Sequence, residues 1–193
     1  MRGSQVQLIV TMLAGAVLGC GKSETSIQEA ASGAGEVEGA STYTYEVILG
    51  SAAMDTLRGK ASFGQMQDPQ TGEDLFVIRL TSSYDFVGGF LIARRKTDLP
   101  EPGSFGIASA ADSLAPPESN FVVLYREGML RDMRSIDGTL TLTAVSDTLI
   151  AGRFNAAMAG YYMDGDRRLS DARLQATGRF RAESGITGYF MGL

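Results

Sequence analysis

The chain has 193 residues, 44% of them hydrophobic, which is enough for one domain with a real core or for two very small ones. Its 17 basic residues against 22 acidic ones give a net charge of −5, which argues against general nucleic-acid binding. Histidine is absent and cysteine occurs once. These counts exclude Ser-His-Asp and Cys-His catalysis, an internal disulfide framework and a Cys-x-x-Cys metal site.

Residues 1–19 have the features of a signal peptide. Arg2 is their only charged residue, and the stretch from Leu8 to Leu18 carries no charge. As a helix this stretch would span roughly half of a ~30 Å bilayer core, so it is too short for a comfortable membrane span. Small residues crowd its end, as cleavage by a signal peptidase requires. We therefore assign residues 1–19 to a signal peptide.

The single cysteine, Cys20, follows directly, and Val17-Leu18-Gly19-Cys20 resembles the lipobox of bacterial lipoproteins. The resemblance implies cleavage before Cys20, lipidation of its sulfur and acylation of the new amino group, which together give a lasting membrane anchor. In such proteins an Asp after the cysteine favours the inner membrane, and here Gly21 follows, which favours the outer membrane. The alternatives are an ordinary secretory signal with a chance cysteine and a buried N-terminal helix.

A flexible tether is expected next, over residues 20–41. Between positions 21 and 41, Ile27 and Val37 are the only large apolar residues. Such a segment cannot bury enough surface to offset the entropy lost on ordering. We therefore expect an anchored Cys20, this tether, and then a single all-β domain over residues 42–193.

The domain shows strand-like periodicity along most of its length. Apolar and polar residues alternate, or short β-branched runs occur, at 42–49, 75–80, 86–93, 104–108, 121–125, 139–158 and 173–182. Residues 139–158 predict a hairpin with a turn at Ser146-Asp147-Thr148. Residues 126–135 are the only place where we expect a helix, of one or two turns.

Eight to ten short strands with frequent turn signals predict an antiparallel β-sandwich or a closed β-barrel. We favour the sandwich because the inward residues differ in size and the central strands are apolar on both faces. The closed barrel remains the alternative, since periodicity alone does not separate the two.

The C-terminal region carries a repeated pattern: Gly138-Thr-Leu-Thr-Leu-Thr143, then Gly152-Arg-Phe154, then Gly178-Arg-Phe180. Over about 45 residues it resembles uncharacterised bacterial lipoproteins, in which a similar series closes a β-sandwich domain. These motifs are strand and turn signals. The resemblance implies a fold, but no activity and no catalytic residues.

The sequence contains no recognisable catalytic set or metal site. Ser-x-x-Lys and Gly-x-Ser-x-Gly are both missing. Asp164, Asp166 and Asp171 form the densest acidic cluster, but it lacks the EF-hand pattern and includes Arg167 and Arg168. We predict a charged turn at this cluster, and a protein without enzymatic activity, metal or cofactor.

Four arginines, Arg153, Arg173, Arg179 and Arg181, fall on the outward-facing positions of the last strands. If those strands are neighbours, the arginines form a basic stripe on an acidic protein. Its partner would be an anion: a lipopolysaccharide phosphate, an acidic glycan or the acidic surface of another protein. The alternative is a solvated face whose charges discourage edge pairing.

The sequence therefore predicts a lipid-anchored protein of the bacterial envelope, facing the periplasm or the cell surface. We expect a non-enzymatic binding or structural module that contacts the membrane through its anchor, meets an envelope protein or glycan, and binds no nucleic acid. The alternative is a binder of a small molecule or glycan, with an apolar or aromatic-lined cavity of several hundred Å³ inside a β-barrel or between two sheets.

Overall fold

The structure, a computed structural model, describes residues 44–50, 54–68, 71–82, 88–110 and 120–189. Every regular element in these ranges is a β-strand: β1 (Thr44–Gly50), β2 (Met54–Gln67), β3 (Asp74–Ser82), β4 (Gly88–Arg94), β5 (Gly103–Ile107), β6 (Val122–Glu127), β7 (Arg131–Val145), β8 (Leu149–Asp164) and β9 (Arg167–Tyr189). Within them no helix is long and apolar enough to cross a membrane. The predicted signal peptide, Cys20 and the tether lie outside the described residues.

The nine strands form one sheet whose pairings close into a ring. Around the ring the strands follow the order β1-β2-β3-β4-β6-β7-β8-β9, and β9 closes it by pairing with β1. The short strand β5 pairs with β7 on the same edge as β6, further along β7. The pairs between strands are antiparallel, except where the end of β9 runs parallel to β2. The all-β class is confirmed. The ring closes as in a barrel, and its inner faces share one packed core as in a sandwich.

Two long hairpins, β7–β8 and β8–β9, make up the C-terminal half of the ring. The turn after β7 is held by Ser146, whose backbone N–H donates to the Leu149 carbonyl over 2.8 Å while its hydroxyl accepts the Leu149 N–H over 3.1 Å. The next turn places Gly165 at φ +60°, a conformation that glycine adopts without strain. The predicted hairpin at 139–158 is confirmed, and its strands extend further at both ends.

The inner faces of the strands supply the main core. Residues at alternate positions of β8 and β9 are buried, as their period of two predicts: Ile150, Phe154, Ala156, Met158, Ala176, Phe180 and Ala182. Their outward neighbours, such as Arg153 and Arg179, are exposed. In β8 and β9 this alternation puts apolar side chains inside the ring and charged ones outside it.

A second core cluster covers the outer face of β3, β4 and β6. Val77, Leu91 and Val122 are fully or almost fully buried there, packed with Ala110. Ser135 of β7 holds Ala108 and Ala110 in place: its hydroxyl donates to the Ala108 carbonyl over 2.7 Å, and its carbonyl accepts the Ala110 N–H over 2.9 Å. The prediction that the central strands are apolar on both faces is therefore confirmed.

The two Gly-Arg-Phe triplets lie directly opposite each other across β8 and β9. The register pairs Phe154 with Gly178 and Gly152 with Phe180. A Cβ at position 178 would lie 2.7 Å from the Phe154 ring and 2.6 Å from Val47 Cγ2, closer than side-chain atoms pack. Each phenylalanine therefore lies against the glycine of the other triplet, inside the ring.

Two parts of the sequence analysis do not match the structure. The helix expected within residues 126–135 is wrong: β6 ends at Glu127, a turn follows with Gly128 at φ +51°, and β7 begins at Arg131. No strand was assigned between 50 and 74, where β2 runs. The inward positions of β2 include Gly59 and Ala61, which are too small to produce an apolar alternation.

Adding a methyl group at Gly178 tests the packing of the triplets. Gly178→Ala is expected to lower the free energy of unfolding by about 1–3 kcal/mol, because the new Cβ overlaps Val47 and Phe154. Gly185→Ala is the matched control on the same strand, since a Cβ there meets nothing within 4 Å. Urea unfolding of both variants measures the difference. Equal stability of the two variants would contradict the packing described here.

Candidate functional site

A pocket of about 190 Å³ opens at one end of the ring, where β3 ends, β4 begins and β6 turns into β7. It is lined by Tyr45, Leu57, Ser82, Gly88, Gly89, Tyr125, Glu127 and Leu130. We call it the mouth pocket. Its walls are two tyrosine rings, two leucines and glycine backbone, with one serine and one carboxylate, so it suits a mainly apolar occupant.

One wall of the mouth pocket is fixed by a polar network. The Tyr125 hydroxyl donates to Glu127 Oε2 over 3.1 Å, and Arg131 Nε lies 3.3 Å from the same oxygen. Arg131 Nη1 also lies 4.0 Å from Asp55 Oδ2, which connects β7 to β2. Burial, followed by the negative charge of Glu127, raises the pKa of Tyr125, so its phenol stays protonated and continues to donate.

A second tyrosine of the pocket lacks such a partner. Tyr45 is only 3% exposed, and its buried hydroxyl has no hydrogen-bond partner among the residues that the structure describes. Burial raises the pKa of Tyr45 to about 12, which keeps the phenol neutral. A buried hydroxyl without a partner costs about 1–3 kcal/mol. Tyr45 therefore holds an unused hydrogen-bond donor in a residue that lines the pocket.

The outward face of β8, β9, β1 and β2 carries a cluster of basic side chains. Arg153 lies directly opposite Arg179 in the register of β8 and β9. Arg179 Nη2 lies 3.2 Å from Glu46 Oε1 on β1, and Arg58 on β2 lies 2.7 Å from the other oxygen of that carboxylate. One carboxylate thus serves two of these guanidinium groups.

Arg181 belongs to the same cluster and Arg173 does not. Arg181 is two positions from Arg179 on the same face, and Lys60 stands two positions from Arg58. Arg173 pairs with Ala159, and six residues of strand place it about 20 Å from Arg179. We define the basic face as Arg58, Lys60, Arg153, Arg179 and Arg181, with Glu46 among them and Glu183 at its border. The sequence analysis missed Arg58 and Lys60 because it assigned no strand to their segment.

Arg94, the last residue of β4, is a buried cation. It pairs with Phe76 on the neighbouring strand β3. It is 5% exposed, and its guanidinium carbon lies 5.5 Å from the centres of both the Phe76 and the Phe121 rings. Burial lowers its pKa, an effect that Asp98 opposes. Arg94 also donates to the Asp98 carbonyl. These contacts give Arg94 a packing role between two aromatic rings.

The acidic cluster seen in the sequence is only partly in the β8–β9 turn: Asp164 ends β8 and Asp166 lies in the turn, while Asp171 lies within β9. Gly165 and Asp166 make the turn, and Arg168 follows with its guanidinium carbon 3.8 Å from the centre of the Tyr161 ring. Among the described residues no three acidic or sulfur side chains come together as metal ligands would.

The chain matches no protein-family model, no curated protein and no solved structure. The features of the chain that bear on its function are therefore the mouth pocket, the basic face and the N-terminal sequence.

Replacing Tyr45 by Phe tests whether its hydroxyl is unsatisfied. Tyr45→Phe is expected to raise the free energy of unfolding by about 1–3 kcal/mol, because it removes a buried donor without a partner. The loss of stability as the pH rises from 10 to 12 should also diminish, because over that range the Tyr45 phenol ionises in the unfolded chain while the buried phenol stays neutral. Urea unfolding at several pH values measures both effects.

Tyr125→Phe is the matched control, because it removes a hydroxyl that is bonded to Glu127. It should lower the free energy of unfolding by about 0.5–1.5 kcal/mol. Destabilisation by Tyr45→Phe would mean that the Tyr45 hydroxyl is satisfied in solution.

Proposed function

We propose that the protein is a lipid-anchored, non-enzymatic binding protein of the bacterial envelope, whose mouth pocket holds a small, largely apolar molecule or the apolar end of a longer one. The observation that carries this proposal is the buried Tyr45 hydroxyl, a donor without a partner in a residue that lines an open pocket. A binding site that presents an unused donor favours ligands that supply the acceptor.

The size and walls of the pocket narrow the class of ligand. A volume of about 190 Å³ is below the roughly 300–1,000 Å³ of most ligand pockets, so the bound part is compact. The rings of Tyr45 and Tyr125 favour a flat or cyclic body, and Tyr45 favours an ether, alcohol or carbonyl oxygen on it. The Tyr45 hydroxyl is itself buried, so the ring must shift toward the ligand to meet that oxygen.

A binding role is favoured over catalysis by the state of the polar groups at the mouth. Glu127 accepts from Tyr125 and lies against Arg131, so its carboxylate is already engaged. The chain also has no histidine to act as a general base near neutral pH. The network fits a fixed wall better than a proton-transfer pair.

The envelope location is supported by the N-terminal sequence. Val17-Leu18-Gly19-Cys20 resembles a lipobox, and Gly21 favours the outer membrane. The 24 residues from Cys20 to Tyr43 would reach about 25–30 Å as a flexible chain. The anchor would therefore hold the domain close to the membrane surface.

Removing the cysteine tests the anchor. Cys20→Ala in the producing bacterium should move the protein from the membrane fraction to the soluble fraction, because no acyl chain can be attached. Ser4→Ala leaves the lipobox intact and is the control. If the Cys20→Ala protein still sediments with membranes after a high-salt wash, the anchor assignment is wrong.

Filling the pocket tests ligand binding. The probes are benzyl alcohol, which has an acceptor oxygen, and toluene, which lacks one. The protein is the chain from position 20 with Cys20→Ser, which contains both core clusters. In ¹⁵N–¹H spectra, benzyl alcohol should shift the amide signals of Gly88 and Gly89 and should bind roughly fivefold more tightly than toluene, a factor equal to one hydrogen bond of ~1 kcal/mol.

Two variants give the control. Leu57→Trp should abolish these shifts because the larger ring occupies the pocket, while Ile48→Trp, on the outward face of β1, should preserve them. Tyr45→Phe should bind both probes equally. Shifts that persist in Leu57→Trp, or no shifts of Gly88 and Gly89 at all, would refute the pocket.

A further inference from the structure

We propose that the basic face docks on an anionic lipid bilayer by binding the phosphates of its headgroups. This docking is a separate property from ligand binding in the mouth pocket. It rests on the proposed anchor only in so far as the bilayer would be the one to which Cys20 is attached. The basic face is formed by strands β8, β9, β1 and β2.

The register creates a repulsion that the fold leaves uncompensated. Like charges directly opposite each other on neighbouring strands are destabilising, and Arg153 faces Arg179 in this way. Glu46 forms ion pairs with Arg179 and Arg58, which offset the repulsion at those two residues only. Among the described residues, Arg153 and Arg181 have no carboxylate within ion-pair distance, so anions from outside the chain would stabilise this arrangement.

The shape of the basic face fits a surface better than a single small anion. The side chain of Arg179 is 78% exposed and that of Arg58 is 71% exposed, so neither lies in a cavity. The charges spread over four neighbouring strands, which are ~4.8 Å apart. An array of separate phosphates matches this spacing, and flexible exposed arginines adapt to it.

The first described strand begins within the basic face. Thr44, the first described residue of β1, pairs with Lys60, and the next residue, Tyr45, pairs with Phe180 beside Arg181. These cations form a local concentration of positive charge, although the whole chain has a net charge of −5.

Vesicle flotation tests the docking without the anchor. The chain from position 20 with Cys20→Ser should bind vesicles of phosphatidylethanolamine and phosphatidylglycerol (7:3) and should not bind phosphatidylcholine. Binding should disappear in 0.5 M NaCl, because screening is strong at that ionic strength. Added inorganic phosphate at 10 mM should not displace the protein from the vesicles.

Two charge-matched double variants locate the surface. Arg153→Gln/Arg181→Gln should weaken binding about 25-fold, or roughly fivefold per charge. Arg167→Gln/Arg173→Gln removes the same charge elsewhere on β9 and should change binding less than twofold. Far-UV circular dichroism and melting curves confirm that both variants are folded.

Several results would overturn the docking: equal weakening by the two double variants, equal binding to phosphatidylcholine, or displacement by inorganic phosphate, which would indicate a site for the free ion. If the soluble protein does not float with vesicles but the wild-type lipoprotein stays in the membrane fraction, the docking proposal is refuted and the anchor proposal stands. Capture on an acidic polysaccharide resin without vesicle binding would also refute it.

Discussion

The mutual packing of two Gly-Arg-Phe triplets is the constraint on which the rest of this fold depends. Phe154 lies against Gly178 and Phe180 against Gly152, so only one register of β8 and β9 accommodates both rings. A shift by one residue would turn the phenylalanines outward and the arginines into the core. Burying those arginines without partners would cost several kcal/mol each, which makes the register strongly specified.

That register has consequences on both sides of the sheet. Inside, it aligns β9 with β1, where Val47 also packs against Gly178, and so closes the ring of strands. Outside, it forces Arg153 opposite Arg179, at the centre of the basic face. The same pairing that completes the core thus concentrates positive charge on an acidic protein. The mouth pocket lies at one end of the ring, and Tyr45, which pairs with both β2 and β9, keeps an unused hydroxyl there.

Sequence periodicity predicted the strands in which large apolar residues alternate with polar ones, and it missed the strand whose inward positions include small residues. In β8 and β9 the alternation of Phe154 or Phe180 with arginine predicts strand, face and exposure together. In β2 the inward positions hold Gly59 and Ala61, which fit only because neighbouring strands approach closely, a fact of tertiary packing. Arg58 and Lys60 were missed with that strand. The pocket that Tyr45 lines is completed by residues of β4 and β6, which no local pattern of the sequence brings together.

Engineered cysteine pairs test the register most directly, because the natural chain has a single cysteine that Cys20→Ser removes. Directly opposed residues on antiparallel strands have Cα atoms ~4.5–5.5 Å apart, within the range that a disulfide spans. Arg153→Cys/Arg179→Cys should therefore oxidise readily to an internal disulfide, and Arg153→Cys/Arg181→Cys should not. Preferential bridging in the second pair would place β8 and β9 in another register, and would contradict both the triplet packing and the basic face.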